Sequence, residues 1–194
     1  MREAGPIVGG EVTFTREIAI PSHEPIRIAV ISDTHSQAHP DAVGHLKAIA
    51  PHLILHAGDI GDAHVLAPFE ELADLLVVRG NIDGKGAGPK VVTVRLHDDK
   101  GYEVRIVMTH IALYGPRIRR DAKLLAHEHQ AHLLICGHSH VPFLGQEGKL
   151  IAFNPGSIGP RRPPLPITFG LLEFGPGHSS IRHINCETGE PWLP

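Results

Sequence analysis

Three short runs composed almost entirely of apolar residues alternate with stretches in which apolar residues recur every three or four positions. The runs cover residues 26–31, 53–56 and 75–78 and are rich in Ile, Leu and Val, which is typical of strands buried on both faces. The stretches between them, residues 41–50 and 62–72, have the spacing of helices that bury one face. The first half is therefore predicted to fold as βαβαβ. An earlier strand over residues 11–20, with apolar residues largely on alternate positions, is expected to pair at a sheet edge.

The second half of the chain has the pattern of an antiparallel sheet. Strands over residues 91–96 and 104–108 flank a polar turn at residues 97–101 and predict a hairpin. A helix is expected over residues 117–129. Strands over residues 133–136, 141–145, 150–153, 169–174 and 180–184 would complete a second sheet, with a Pro- and Gly-rich loop over residues 154–166. The sequence thus predicts one α/β domain over residues 1–194, a four-layer αββα sandwich of two mixed β-sheets with helices outside.

Composition narrows the class of protein. The chain has 194 residues and 42% hydrophobic content, enough for one domain with a sizeable core. It contains no run of about 18 uncharged apolar residues and no signal-peptide pattern, so a cytoplasmic protein with no membrane partner is expected. Cys136 and Cys186 are too few for a disulfide framework and do not form a CxxC motif. The formal charge of −3 argues against a long nucleic acid as partner.

Five segments share one design, in which an apolar run ends in small and polar residues that include Asp, His or Asn. If the preceding strands are neighbours in one sandwich, their carboxyl ends meet at one rim, where open α/β sheets commonly bind ligands. The spacing in Asp33-x-His35 and in His138-x-His140 lets one loop present two ligands. Oxygen and imidazole ligands without thiolate suit Mn²⁺, Fe, Zn²⁺ or Co²⁺. The candidate metal ligands are Asp33, His35, Asp59, Asn81, His110, His138 and His140.

Glycine precedes three of these candidates directly. Gly58, Gly80 and Gly137 are expected to let the backbone approach a crowded metal centre closely and to tolerate positive φ. Histidine is abundant, with 16 residues, but a single His is more often a surface or core residue than a ligand. The order of the five segments, rather than any one of them, therefore carries the prediction.

The motifs Asp33-x-His35, Gly58-Asp59, Gly80-Asn81, His110 and Gly137-His138-x-His140 resemble those of the calcineurin-like metallophosphoesterases. Segments 78–83 and 154–157 are similar to the small bacterial and archaeal phosphodiesterase branch, which is itself similar to a retromer subunit. The resemblance implies two divalent metal ions, with Mn²⁺ favoured and Fe, Zn²⁺, Ni²⁺ or Co²⁺ compatible, and a metal-bound hydroxide as nucleophile. It implies that Asp33, His35 and His140 hold one metal and that Asn81, His110 and His138 hold the other. It also implies that Asp59 bridges the two metals, and that Asp59, Asn81 and His110 act in catalysis.

Two positions depart from the pattern of the family. Ile82 stands directly after Asn81. Many larger members of the family carry a His at this position, and the resemblance implies that this His donates a proton to the leaving group. Without this acid, esters with good leaving groups are favoured, or a metal-bound water or another His must donate the proton. Ser36 stands where the small branch usually has Gly, a modest change in a tight loop.

The favoured hypothesis is a phosphodiesterase that acts on a small phosphate-ester substrate, with nucleotide-derived diesters as the leading class. The rival hypothesis is a non-catalytic scaffold that binds proteins, as the similar retromer subunit does. A nuclease for long DNA or RNA is disfavoured by the acidic net charge and by the lack of an aromatic and basic stripe. A homo-oligomer is left open.

Several other polar residues have alternative interpretations. Asp62 suits the N-terminus of a helix or a hydrogen bond to a metal ligand, with capping favoured. Arg79, Arg161 and Arg162 are contacts for substrate phosphate or ordinary solvated cations. His56 is predicted to be a packed strand residue. The remaining candidates without a motif, predicted to be solvated or capping residues, are His39, His45, His52, His64, His127, His129 and His132.

Overall fold

The computed structural model describes residues 7–8, 11–175 and 177–193. The helices in these residues are α1 (Ala42–Ile49), α2 (Ala67–Glu70) and α3 (Arg120–Glu128), with 3-10 turns at Ala63–Leu66 and Lys85–Ala87. The strands in the first half are β1 (Ile7–Val8), β2 (Glu11–Ala19), β3 (Ile26–Ile31), β4 (Leu53–His56), β5 (Asp74–Val77) and β6 (Val91–His97). Those in the second half are β7 (Glu103–Thr109), β8 (Leu113–Tyr114), β9 (Arg117–Ile118), β10 (Leu133–Ile135), β11 (Phe143–Glu147), β12 (Leu150–Asn154), β13 (Thr168–Gly175), β14 (His178–Asn185) and β15 (Pro191–Trp192).

One mixed sheet has six strands in the order β15-β14-β13-β3-β4-β5. Strands β3, β4 and β5 run parallel to one another and are connected through α1 and then α2, so the predicted βαβαβ arrangement is confirmed. The apolar runs of β3 and β4 are nearly continuous because both faces of this part of the sheet are covered. The helix predicted over residues 62–72 is shorter than expected: a 3-10 turn precedes the single turn of α2, which has Pro68 near its start.

The second mixed sheet has seven strands in the order β1-β2-β6-β7-β10-β12-β11. The predicted hairpin is formed by β6 and β7, which pair antiparallel along their full length. Strand β10 runs parallel to both of its neighbours, β7 and β12. Strand β2 lies next to the edge as expected, since among the described residues only the two-residue β1 pairs on its outer side.

The assignment of the last predicted strands to the second sheet is wrong for two of them. Strands β13 and β14 belong to the six-stranded sheet, where β13 pairs antiparallel with β3. Strands β11 and β12 lie in the second sheet as expected. The order of strands along the chain does not determine which of the two sheets a later strand joins. Almost every residue of β13 is buried. The strand lies between β14 and β3, and apolar clusters cover both faces of the sheet there.

Three apolar clusters separate four layers. The central cluster packs the facing sides of the two sheets together, with Ile28 and Leu55 from one sheet and Val92 and Met108 from the other. A second cluster packs α1 and Phe69 against the outer face of the six-stranded sheet. A third packs α3 against the outer face of the seven-stranded sheet. The predicted αββα sandwich is thereby confirmed. In the part of the chain that the structure describes, every helix is too short or too polar to cross a membrane.

Candidate metal centre

Six of the seven predicted ligands form two groups of side chains at one end of the sandwich. The first group contains Asp33, His35 and His140, and the second contains Asp59, His110 and His138. Within each group, one ligand atom per residue lies within 4.8 Å of the others. Both groups combine the two sheets: Asp33, His35 and Asp59 follow strands of the six-stranded sheet, and the three remaining histidines follow strands of the seven-stranded sheet.

Asp59 lies where the two groups meet. Its Oδ1 is 3.2 Å from Nε2 of His110 in its own group. Its Oδ2 is 3.9 Å from Nε2 of His35 in the first group, and this His35 atom is 3.1 Å from Nε2 of His140. A carboxylate in this position presents one oxygen to each group.

Asn81, the seventh predicted ligand, lies beside the second group. Its exposed side chain and His110 line a cavity of about 300 Å³. The backbone N–H of the next residue, Ile82, donates to Oδ1 of Asp59 over 3.2 Å. The loop that carries Asn81 is therefore hydrogen-bonded directly to the carboxylate between the two groups.

Buried atoms without partners indicate what these groups can hold. Within the described residues, Oδ1 of Asp33, Nε2 of His110 and Nδ1 of His140 are buried and have no hydrogen-bond partner. The other ring nitrogen of His110, Nδ1, lies 2.7 Å from the carbonyl oxygen of Ala57. Because a carbonyl oxygen only accepts, Nδ1 carries the proton and Nε2 has a lone pair. That lone pair faces the Asp59 carboxylate, and two electron-rich atoms so close together require a cation or a proton near them. The donor set fits a divalent metal ion.

Asp33 is oriented through the oxygen that does not face the first group. Its Oδ2 accepts hydrogen bonds from Oγ of Ser32 over 2.6 Å and from the backbone N–H of His138 over 3.1 Å. Oδ1 is left 3.3 Å from Nε2 of His140. Burial acts to raise the pKa of Asp33, but His140 and the Ser32 hydroxyl outweigh it and hold the pKa below its usual value. The carboxylate is therefore ionised at neutral pH.

Two of the histidines are kept neutral by their surroundings. Burial, and then the neighbouring His140, lowers the pKa of His35. Burial, and then the neighbouring His110, lowers the pKa of His138. A neutral imidazole offers the lone pair that a metal ion needs, so these side chains are ready to act as ligands near neutral pH.

The backbone of the ligand loops is strained. Five of the seven predicted ligands have φ in the left-handed region: Asp33 (56°), His35 (46°), Asp59 (56°), His138 (70°) and His140 (59°). Such a conformation costs a non-glycine residue about 1 kcal/mol or more and persists only where the surrounding structure imposes it, most often at functional sites. Ser36 shares it, with φ of 69°, and its hydroxyl accepts the backbone N–H of Asp62. The serine thus retains the turn for which glycine was expected.

The three glycines that precede ligands pack closely against the site, as predicted. A Cβ atom on Gly80 would overlap the Asp59 carboxylate and backbone, and one on Gly137 would overlap Oγ of Ser32. At Gly58 a Cβ would lie 2.7 Å from Nδ1 of His110, and φ is +95°. The expectation of positive φ is wrong for Gly80 and Gly137, which are required for close approach alone.

His56 is a packed strand residue, as predicted, and it connects two ligand loops. Its Nδ1 accepts the backbone N–H of Gly58 over 3.1 Å. Its Nε2 is 3.1 Å from Oγ1 of Thr34, which donates its own proton to the carbonyl of Ile60. Nε2 must therefore donate, and the ring is satisfied only when neutral. Complete burial lowers its pKa to about 4.

Asp83 is a supporting residue that the sequence motifs do not single out. Its carboxylate accepts backbone N–H groups of Gly80, Ile60 and Gly61 over 2.7 to 2.9 Å. Burial acts to raise the pKa of Asp83, but these hydrogen bonds prevail and lower it. The carboxylate thus fixes the loop of Asn81 against the loop of Asp59. An acidic residue in a Gly-rich segment, three positions after Gly80, was the available signal.

The remaining polar candidates have separate roles. Asp62 caps the 3-10 turn by accepting the backbone N–H of His64, which confirms the favoured interpretation. Arg79 donates to the carbonyl groups of Lys85 and Gly88. The two arginines of the loop after β12 diverge: Arg161 forms an ion pair with Glu187, whereas Arg162 lies beside His35.

Comparison with known proteins identifies the family. The model of the calcineurin-like phosphoesterase superfamily domain matches residues 26–176. A protein of Methanothermobacter thermautotrophicus described as a "probable metallophosphoesterase" is 32% identical over 136 residues, which are 67% of this chain and 76% of the relative. The phosphodiesterase YfcE of Escherichia coli is 33% identical over 69 residues, 36% of this chain and 34% of that protein.

A solved structure shares the fold at lower identity. Vps29 of Entamoeba histolytica, in a complex with Zn²⁺, superposes with a TM-score of 0.69 and 21% identity over 86% of this chain and 96% of that one. The extent of the family match, together with the ordered motifs and the fold, decides the classification. This chain belongs to the calcineurin-like phosphoesterase superfamily.

Proposed function

We propose that this protein is a metal-dependent phosphodiesterase that hydrolyses small phosphate diesters, including nucleotide-derived ones. The observation that carries the proposal is the position of Asp59, whose two oxygens face two adjacent groups of candidate metal ligands. In this proposal Asp33, His35 and His140 hold one cation, Asn81, His110 and His138 hold the other, and Asp59 contacts both. Two divalent cations bound there would polarise the phosphoryl group and lower the pKa of a shared water.

The chain's own residues supply orientation and charge. The carbonyl of Ala57 fixes the His110 tautomer, and the backbone N–H of Ile82 holds one oxygen of Asp59. Burial raises the pKa of Cys136, which precedes the His138 loop, to about 12. This thiol stays protonated and is not a nucleophile. In the proposal the attacking group is a metal-activated water. Mn²⁺ is the favoured metal, and the O and N ligands also accept Fe, Zn²⁺, Ni²⁺ or Co²⁺.

Two observations favour diesters with good leaving groups over alkyl monoesters. Ile82, 53% exposed beside Asn81, places an apolar side chain where larger members of the superfamily carry an acid. The relative YfcE is named a phosphodiesterase, although the similarity spans about a third of either chain. A small substrate suits the cavity of about 300 Å³ beside His110 and a chain with a formal charge of −3.

A protein-binding scaffold resembling the retromer subunit is the alternative function, and the Vps29 fold is compatible with it. A scaffold has no need to keep seven ligand residues or to maintain five of them in a strained backbone conformation. These two features support catalysis.

The proposal is tested with a substrate panel in the presence of Mn²⁺. The panel compares an activated aryl diester, an aryl monoester and cyclic nucleotides for the wild type, for Asp59→Asn and for the matched control Asp62→Asn. The diester should be cleaved faster than the monoester. Asp59→Asn should lower kcat by at least about 100-fold, because a neutral amide cannot balance two cations, while the turn-capping Asp62→Asn stays within a factor of about three of the wild type. A wild type that cleaves none of the panel, whether or not it binds metal, would point to the scaffold.

A further inference from the structure

The loop after β12 places one arginine against the metal centre. Nη2 of Arg162 is 3.3 Å from Nε2 of His35, the ring nitrogen that faces the first ligand group. Its neighbour Arg161 points away and forms an ion pair with Glu187. In the part of the chain that the structure describes, no carboxylate forms an ion pair with Arg162. Its positive charge is therefore available at the rim of the site.

The position of this loop is fixed relative to the ligands. Oγ of Ser157 donates to the carbonyl of Asp33 over 3.0 Å, and the backbone N–H of Ile158 donates to the carbonyl of Ser32 over 3.2 Å. A Cβ on Gly159 would overlap the carbonyl oxygen of Asp33. The loop thus packs directly on the segment that carries Asp33 and His35. Prolines on both sides of the arginine pair further restrict the backbone.

The contact between Arg162 and His35 competes with metal binding. A guanidinium only donates hydrogen bonds, so here it uses the lone pair on Nε2 of His35. A cation held by His35 needs the same lone pair. Once a cation is bound, the N–H groups of Arg162 must find another acceptor within reach of the first ligand group. A phosphate ester at this site brings oxygens that match the guanidinium fork.

We propose that Arg162 binds a non-bridging oxygen of the substrate's phosphate group and stabilises its negative charge during hydrolysis. The inference rests on the proposed phosphodiesterase function and adds a residue to it. Arg79 is a weaker candidate for the same role, because it already donates to the carbonyls of Lys85 and Gly88.

The test compares Arg162→Gln, Arg162→Lys and the matched control Arg161→Gln. Arg162→Gln should lower kcat/KM for the aryl diester by about 10- to 100-fold, the usual cost of losing a charged hydrogen bond. It should weaken competitive inhibition by inorganic phosphate by at least about 10-fold. Arg162→Lys should recover part of both, because a point charge replaces the fork. Arg161→Gln should match the wild type.

A second readout is independent of turnover. Titration calorimetry with Mn²⁺ alone should give an affinity for Arg162→Gln that equals or exceeds that of the wild type, since the competing donor has been removed. Weaker Mn²⁺ binding in this variant would assign Arg162 to support of the metal site and overturn the proposal. Unchanged kcat/KM and phosphate inhibition would overturn it as well. Absence of hydrolysis in the wild type would instead refute the proposed function, and in that case unaltered binding of phosphate to Mn²⁺-loaded Arg162→Gln would refute the role of Arg162 separately.

Discussion

Burial of His56 should make the free energy of unfolding of this protein depend on pH. Its pKa falls from 6.5 to about 4 on folding. Between these values the unfolded chain binds a proton that the folded chain does not. The stabilisation is therefore complete above about pH 6.5 and is lost as the pH falls toward the folded pKa. The full shift is equivalent to about 3 kcal/mol, and at about pH 5 roughly 2 kcal/mol of it should be lost.

The physical cause is the burial of the ring, which disfavours its charged form, and the two hydrogen bonds of the ring also require the neutral form. Protonation would place an N–H on Nδ1 against the backbone N–H of Gly58, while the Thr34 hydroxyl already occupies Nε2. His56→Asn preserves an acceptor near the position of Nδ1 but does not titrate. The variant should be less stable than the wild type at pH 7.5, because Thr34 loses a partner.

The assay is urea denaturation of both proteins at pH 7.5 and at about pH 5, in EDTA so that release of cations does not contribute. The other histidines titrate in both proteins and cancel in the difference. The wild type should lose about 2 kcal/mol more than His56→Asn on acidification. An equal loss in the two proteins would refute the assignment of a buried neutral ring to His56.

Two further variants test the support of the ligand loops. Gly80→Ala should weaken Mn²⁺ binding by at least about 10-fold in calorimetry, because its Cβ overlaps Asp59; wild-type affinity would show that the two loops can separate at little cost. Asp83→Asn should lower the free energy of unfolding by about 1 to 3 kcal/mol and so lower the urea midpoint. An amide offers one acceptor oxygen, whereas the carboxylate accepts the backbone N–H groups of Gly80, Ile60 and Gly61. An unchanged midpoint would mean that water replaces the carboxylate.

The sequence determined the parts of the fold that depend on local pattern. Strands β3 and β4 were predicted to the residue, because β-branched and apolar runs end abruptly at polar loops. The sheet of β13 was not predicted, because pairing with β3 depends on which edge is free after the other elements have assembled. The helix after Asp62 was predicted too long, since periodicity alone does not separate a 3-10 turn from an α-helix.

The grouping of the candidate ligands was predictable, and the contacts that support them were not. The seven candidates follow from motifs in a fixed order, and the structure brings six of them into two compact groups with Asn81 beside them. The left-handed backbone at Asp33 and Asp59 could not be read from residue types, because strain of this kind is imposed by contacts. The divergence of Arg161 and Arg162 was equally hidden, since it depends on where Glu187 lies in space.

Both ligand groups take side chains from loops of the two opposing sheets. Cations bound by both groups would therefore cross-link the two sheets at this end of the sandwich. Away from this end, the sheets are held mainly by the apolar interior, with surface contacts such as the ion pair of Arg16 with Asp74. Removal of bound metal should consequently loosen the packing of the two sheets first at this rim, so that metal binding would contribute to the stability of the fold as well as to its chemistry.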